Sequence, residues 1–191
     1  MPLKSKQQPR IAPLEPPYDD DETEVLERLG PPIALFRVLA RRPDLARGIA
    51  GWGRYYLSRQ SALTVRQREL VIDRVTARCG ADYEWGVHIA VFAEKAGLSP
   101  AQVRSLTAGS PDDPCWADPG DRAVLHAVDA LHARSDLTDG EWAALVAATG
   151  EEGAIDLMLL AGWYHAISYL ARVSRLAPEP GAPAVADIVG S

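Results

Sequence analysis

The sequence predicts an all-α protein of roughly seven or eight helices, on three observations. Capping boxes stand at Thr64–Gln67, Ser99–Gln102 and Thr138–Glu141, each offering a side-chain oxygen to the first free amides of a helix. Gly80 and Gly97 follow the periodic segments that precede them, where a glycine ends a helix by turning left-handed. Finally, no stretch alternates apolar and polar residues as a half-buried strand does.

Taken in order, residues 1–21 hold five of the 15 prolines and end in Asp19, Asp20 and Asp21. They read as an irregular arm, a flexible tail or one lying on a neighbouring subunit. A single helical domain is expected over 22–176. In it "PPIALFRVLARR" opens with prolines in a first turn, where a missing N–H costs nothing. "PDLARGIAGWGRYYLSRQ" places Leu45, Ile49, Trp52 and Tyr56 at helical spacing, and its glycines predict close packing or a bend. The Thr64 box opens a helix to about Cys79, and the next runs from about Ala81 to Ala96. The Ser99 box starts another, and "TAGSPDDPCWADPG" is a loop by composition. Helices over "DRAVLHAVDALHARS", "DGEWAALVAAT" and "EEGAIDLMLLAGWYHAISYLARVSRL" complete the set, and 177–191 reads as an irregular tail.

With 47% hydrophobic and 24% charged residues the composition is that of a globular protein with one core. The net charge of −6 comes with no basic stripe, so nucleic acid is not an expected partner. No apolar run is long enough to span a membrane and no apolar segment follows the N-terminal cations, so a cytoplasmic location is expected. Cys79 and Cys115 form no C-x-x-C pair and are expected to be buried thiols.

The chemistry concentrates in "ADYEWGVH". Glu84 and His88, four residues apart, share a helix face. An exposed ion pair at that spacing is worth only a few tenths of a kcal/mol. Tyr83, Trp85, Val87, Ile89, Val91 and Phe92 make this helix apolar on most sides and predict burial, where a carboxyl and an imidazole shift each other's pKa and can move protons. A buried pair that only fixes helix orientation fits as well. Glu69, in "RQRELVIDRV", reads first as an acid favoured by a helix N-terminus, and Asp73 as a partner for arginine. His165 reads as a hydrogen-bonded core residue. Asp129-x-x-His132 is a single copy of a motif that di-iron bundles carry twice, and no other ligand pattern appears, so neither a metal nor any other cofactor is expected.

"RELVIDRVTARCGADYEWGVHIAVFAEKAGLSPAQV" resembles the carboxymuconolactone decarboxylase family, which shares an all-helical fold with the alkylhydroperoxidase D-like (AhpD-like) proteins. The resemblance runs from about Phe36 to Leu106, and "IDLMLLAGWYHAISYLARV" is similar to the second helical half of a longer subgroup. Peroxidase members carry a glutamate, a C-x-x-C pair and a histidine, at positions that here are Glu69, Ala81, Glu84 and His88. Both thiols are thus replaced, and neither replacement can form the thiolate that attacks a peroxide. The decarboxylase branch implies cofactor-free loss of carbon dioxide from a small carboxylated lactone or enol acid. In that reading His88 is proton donor or oxyanion partner, Glu84 its proton shuttle and Glu69 a supporting acid, with Trp85, Tyr164 and His165 lining the pocket. The resemblance also implies a homo-oligomer, a trimer, hexamer or related ring. Peroxidase activity through Cys79 or Cys115, and a non-catalytic helical or small-molecule-binding role, are the alternatives.

Overall fold

The computed structural model describes residues 8–190, and among them the chain forms nine helices and no strand. These are α1 (Asp20–Leu29), α2 (Ala34–Leu39), α3 (Pro43–Tyr56), α4 (Val65–Arg78), α5 (Asp82–Phe92), α6 (Pro100–Ala108), α7 (Pro119–Arg134), α8 (Asp139–Ser174) and α9 (Val185–Val189). The three expected capping boxes open α4, α6 and α8, with both reciprocal bonds formed in each. Asp19 and Glu22 make a fourth at α1, so the acids read as the end of the arm are the cap and first turn of a helix. Gly80 and Gly97 take positive φ, and in both turns the residue after the glycine bonds back to the carbonyl five residues earlier (Ala81 to Thr76, Leu98 to Ala93). Gly150, with φ 71° and ψ 170°, breaks α8 between the two segments that the sequence separates.

α4 is the hub, packed against α5, α6, α7 and α8. Residues 68–76 of α4 are buried in succession, so this helix has no solvent face along its middle two turns. Leu70, Val71, Ile72 and Val75 meet Val124, Leu125 and Val128 of α7 and Leu157, Leu160 and Ala161 of α8 in the main core. Each such side chain removed from water contributes about 1.5–3 kcal/mol. A second cluster joins α1, α2 and Ala46 of α3 to Tyr83, Ile167 and Ala171.

α3 and the two terminal segments add detail that the sequence pattern does not give. On α3 the buried positions are Ala46, Ala50 and Tyr56, while Leu45 and Trp52 are 50% and 43% exposed. Nothing stands within 4 Å of where a Cβ would sit on Gly48, Gly51 or Gly53, so these glycines serve no close packing. Ala46, Ala50 and Tyr56 face inward, and α1 and α2 pack on α3. The N-terminal segment, of which residues 1–7 lie outside the described residues, runs along its own chain: Arg10 N–H donates to Ser174 O at 2.9 Å and Leu14 N–H to Arg37 O at 3.3 Å. The C-terminal segment contains α9 and docks on α5, with Glu179 accepting hydrogen bonds from Tyr83 Oη and Ala34 N, each at 2.6 Å.

Gly86 is where this docking is tightest. A Cβ there would come 2.5 Å from Pro183 O, so only glycine allows the segment to lie on α5. Gly86→Ala is expected to loosen residues 177–190 while leaving the helical core folded, read as faster proteolysis of that segment at unchanged helical content. Thr138→Ala is expected to lower stability by about 1 kcal/mol in urea denaturation, the typical loss for an N-cap.

Candidate functional site

Two pairs at i,i+4 spacing, Glu69 and Asp73 on α4 and Glu84 and His88 on α5, face one another across the α4–α5 contact. Their relative exposures are 0%, 0%, 5% and 4%. His88 stands at the centre. Its Nδ1 lies 2.8 Å from Glu69 Oε2 and its Nε2 2.9 Å from the hydroxyl of Tyr164, which α8 supplies. Glu84 Oε1 is 3.7 Å from Nε2, a charge contact beyond hydrogen-bond length. The burial expected of Glu84 and His88 is present, but the group bonded to the imidazole is Glu69. The dipole reading of Glu69 is therefore corrected: this acid is a direct partner of His88.

The network continues outward. Arg68 Nε donates to Glu69 Oε1 at 2.7 Å and its Nη1 to Tyr56 O at 3.2 Å, so Glu69 bridges a guanidinium and an imidazole. The Phe92 ring stacks on His88 at 5.4 Å between centroids and lies 5.1 Å from the Arg68 guanidinium. Asp73 does not pair with an arginine. Both its oxygens are buried without a hydrogen-bond partner among the described residues, as is Glu84 Oε2.

Charge follows from these contacts. Burial pushes the Asp73 carboxyl well above its ordinary range, and neighbouring Glu69 pushes it further, against a smaller pull from His88. Burial likewise raises Glu84, opposed by His88. For His88 burial acts downward, but the hydrogen bond to Glu69 and the charges of Glu69, Glu84 and Asp73 outweigh it and leave the imidazole above its usual value. Burial, with Glu84 and Glu69, holds Tyr164 as a neutral phenol. The site thus sets an imidazole biased toward its protonated form between Glu69 and the Tyr164 phenol, with the Asp73 and Glu84 carboxyls biased to keep their protons.

The other expected pocket residues stand apart. Trp85 is fully buried, and its indole N–H has no partner among the described residues. It follows Glu84 by one position, which turns it about 100° around α5. His165 turns away from Tyr164 in the same manner and meets Cys79 and His132 instead: Cys79 Sγ lies 3.5 Å from His165 Nδ1, and His132 Nδ1 lies 3.2 Å from His165 Nε2. It is not an isolated core histidine, and the half-buried Cys79 is its neighbour. A cavity of about 500 Å³ is lined by Arg66, Asp121 and Cys115, among others, and one of about 210 Å³ by Arg37 and Glu179. Neither touches the His88 network.

Residues 43–133 match the sequence pattern of the Carboxymuconolactone decarboxylase family. The matched segment contains Glu69, Asp73, Glu84 and His88, whereas Tyr164 and His165 come from the helix beyond it. No curated protein matches the chain. Among solved structures, a peroxidase-related protein from Silicibacter sp. TM1040 superposes with a TM-score of 0.75 at 16% identity, over 93% of this chain and 97% of that one. The debrominase Bmp8, in complex with 2,3,4-tribromopyrrole, superposes with a TM-score of 0.73 at 15% identity, over 96% of this chain and 99% of that one. At these identities the likeness is one of fold, and the fold is AhpD-like.

The raised carboxyls have a measurable consequence. A group whose folded pKa exceeds its unfolded value contributes stability that is present at low pH and lost as pH rises through the folded pKa. Asp73, Glu84 and His88 all carry that sign. Stability is therefore expected to fall as pH rises above the range of an unfolded carboxyl. Asp73→Asn is expected to flatten the fall, by about 1.4 kcal/mol for each pKa unit removed, in urea titrations across pH.

Proposed function

We propose that the chain is a cofactor-free lyase that decarboxylates a small carboxylated lactone or enol acid. The observation that carries this reading is the buried Glu69–His88–Tyr164 chain, with Glu84 3.7 Å from the same imidazole nitrogen. In such a step the C–CO2 bond breaks, carbon dioxide leaves, and the bonding pair moves into the conjugated carbonyl as an enolate. A proton must then reach carbon. The Tyr164 hydroxyl, held at His88 Nε2, offers a hydrogen-bond donor to the developing oxyanion, while Glu69 on Nδ1 biases the imidazole toward its protonated form. Glu84, biased to the protonated form by burial, is the acid that delivers the proton to carbon, and it is recharged by one proton taken up from solvent per turnover. Asp73 stands behind Glu69, biased by burial to keep its proton.

The same reading includes assembly. The outer face of α8 exposes Ile155, Leu159, Tyr169 and Val173 at 50–63%, opposite the face that carries Leu157, Leu160 and Tyr164 inward. A helix apolar on both sides fits a partner surface, and a second copy of the chain in a homo-oligomer is the proposed one. A small carboxylated molecule is the proposed substrate and the cytoplasm the proposed location. Among the described residues no helix is long and apolar enough to cross a membrane.

Thiol peroxidase activity is the second reading, favoured by the Cys79–His165 contact. Against it, burial raises the Cys79 thiol, while Ser168 and Arg172 pull it only partly back, so the thiol is less acidic than a free one.

Carbon dioxide release from a panel of carboxylated lactones and enol acids tests the proposal. Glu84→Gln and His88→Ala are expected to lower release by about 10²–10⁴-fold with the fold retained in circular dichroism. Tyr164→Phe is expected to lower it by a factor up to about 10². Peroxide consumption that is lost in a Cys79→Ser, Cys115→Ser double variant, with no carbon dioxide from any compound, would decide for the thiol reading.

A further inference from the structure

Away from the His88 network, three helices bring together a group of side chains that the proposed reaction does not use. Cys79 caps the C-terminus of α4, His132 lies in the last turn of α7 and His165 in the middle of α8. One donor atom from each, a thiol sulfur and two imidazole nitrogens, lies within 4.8 Å of the others. The rings of His132 and His165 are 5.0 Å apart and tilted by 30°. We propose that Cys79, His132 and His165 bind one borderline-to-soft transition-metal cation of the zinc class, with a fourth position open to solvent.

The donor set argues for that class. Tetrahedral zinc with Zn–N near 2.0–2.1 Å and Zn–S near 2.3 Å places its ligand atoms about 3.3–3.6 Å apart. The contacts here are 3.2 Å for N···N and 3.5 Å for S···N. His165 offers one nitrogen to each neighbour, so binding takes a turn of an imidazole that sets one nitrogen per ring and the sulfur around a common point. His132 is exposed and can turn. A thiolate and imidazoles select zinc, copper(I) or cobalt over magnesium and calcium, which require oxygen. No carboxylate bonds to either imidazole among the described residues. The nearest acid in sequence, Asp129, is engaged by Arg74 and Arg78, with contacts of 2.6 and 2.8 Å.

Elements other than the donors also hold this geometry. Arg172 Nη1 donates to Cys79 O at 2.6 Å, which fixes the backbone that carries the sulfur, and the guanidinium packs 3.6 Å from the Cβ position of Gly80. Tyr169 sets its ring edge against His165, with centroids 6.1 Å apart. On binding, the Cys79 thiol gives up its proton and the sulfur becomes the anionic ligand. Three protein ligands with an accessible fourth position is the arrangement of zinc sites that keep a water. The proposal is independent of the decarboxylase reading, because none of its ligands belongs to the His88 network.

Cobalt(II) titration of the full chain, free of any affinity tag, tests it. One equivalent per chain is expected to produce a sulfur-to-cobalt charge-transfer band and the intense visible bands of a four-coordinate site, both removed by zinc(II). Cys79→Ser is expected to abolish the charge-transfer band, and His132→Gln to weaken zinc binding at least about tenfold. His126→Gln, at the exposed pair with Asp112, is expected to change nothing. A second measurement does not depend on those variants. In a Cys115→Ser background, zinc is expected to slow alkylation of Cys79. Cobalt bound without a thiolate band, a band that persists in Cys79→Ser, or alkylation unaffected by zinc would each overturn the proposal.

Discussion

Burying α4 on every side while its sequence carries Arg68, Glu69, Asp73 and Arg74 is the constraint around which the rest of the molecule is arranged. A charge taken out of water costs several kcal/mol unless partners surround it, so each of these four groups demands something from a neighbouring helix. Arg74 is satisfied outright: Asp129 of α7 takes it with two bonds, and the carbonyls of Ser105, Leu106 and Gly109 accept the remaining donors at the end of α6. The two guanidiniums on Asp129 outweigh its burial and hold that carboxyl down at about 2. Arg68 is satisfied by Glu69 and a backbone carbonyl. Glu69 in turn pairs with His88, and Asp73, with no donor among the described residues, is biased toward its protonated form. One helix thus solves the same physical problem by pairing, by bridging and by protonation.

The third solution separates a pair fixed in charge from groups whose proton affinities are shifted toward one another. A buried pair such as Arg74–Asp129 is fixed in charge across the physiological range, and only locks α4 to α7. The α4–α5 contact is instead poised, because an imidazole and two raised carboxyls sit within one small volume and compete for protons. Tyr164 adds a neutral donor from a helix outside the matched family segment, so the site is completed by the half of the chain that sequence comparison reaches least.

How much of this was legible depended on the range of the interaction. Capping boxes act over three residues, and all three that were read stand in the structure. The i,i+4 relation of Glu84 and His88 is equally local, and its burial followed from the aromatic and aliphatic residues around it. Asp73 was misread because the arginines near it in sequence project to other helices. The spacing of Leu45, Ile49, Trp52 and Tyr56 indicates the helix α3 that is present, but periodicity of large apolar residues does not say which of them are buried. Cys79 and His165 are 86 positions apart, and His132 and His165 33 apart, so no spacing rule could have joined them.

The C-terminal segment lying on Gly86 has a practical consequence for anyone who handles the protein. Residues 177–190 form part of the wall around the helix that carries Glu84 and His88, anchored by Glu179 on Tyr83 and on the start of α2. A purification handle, fluorophore or fusion partner attached at that end would pull on the same wall, and a variant shortened at Leu176 would strip it away. Attachment at the opposite end, ahead of the stretch that Arg10 fastens to Ser174, leaves α5 as it is.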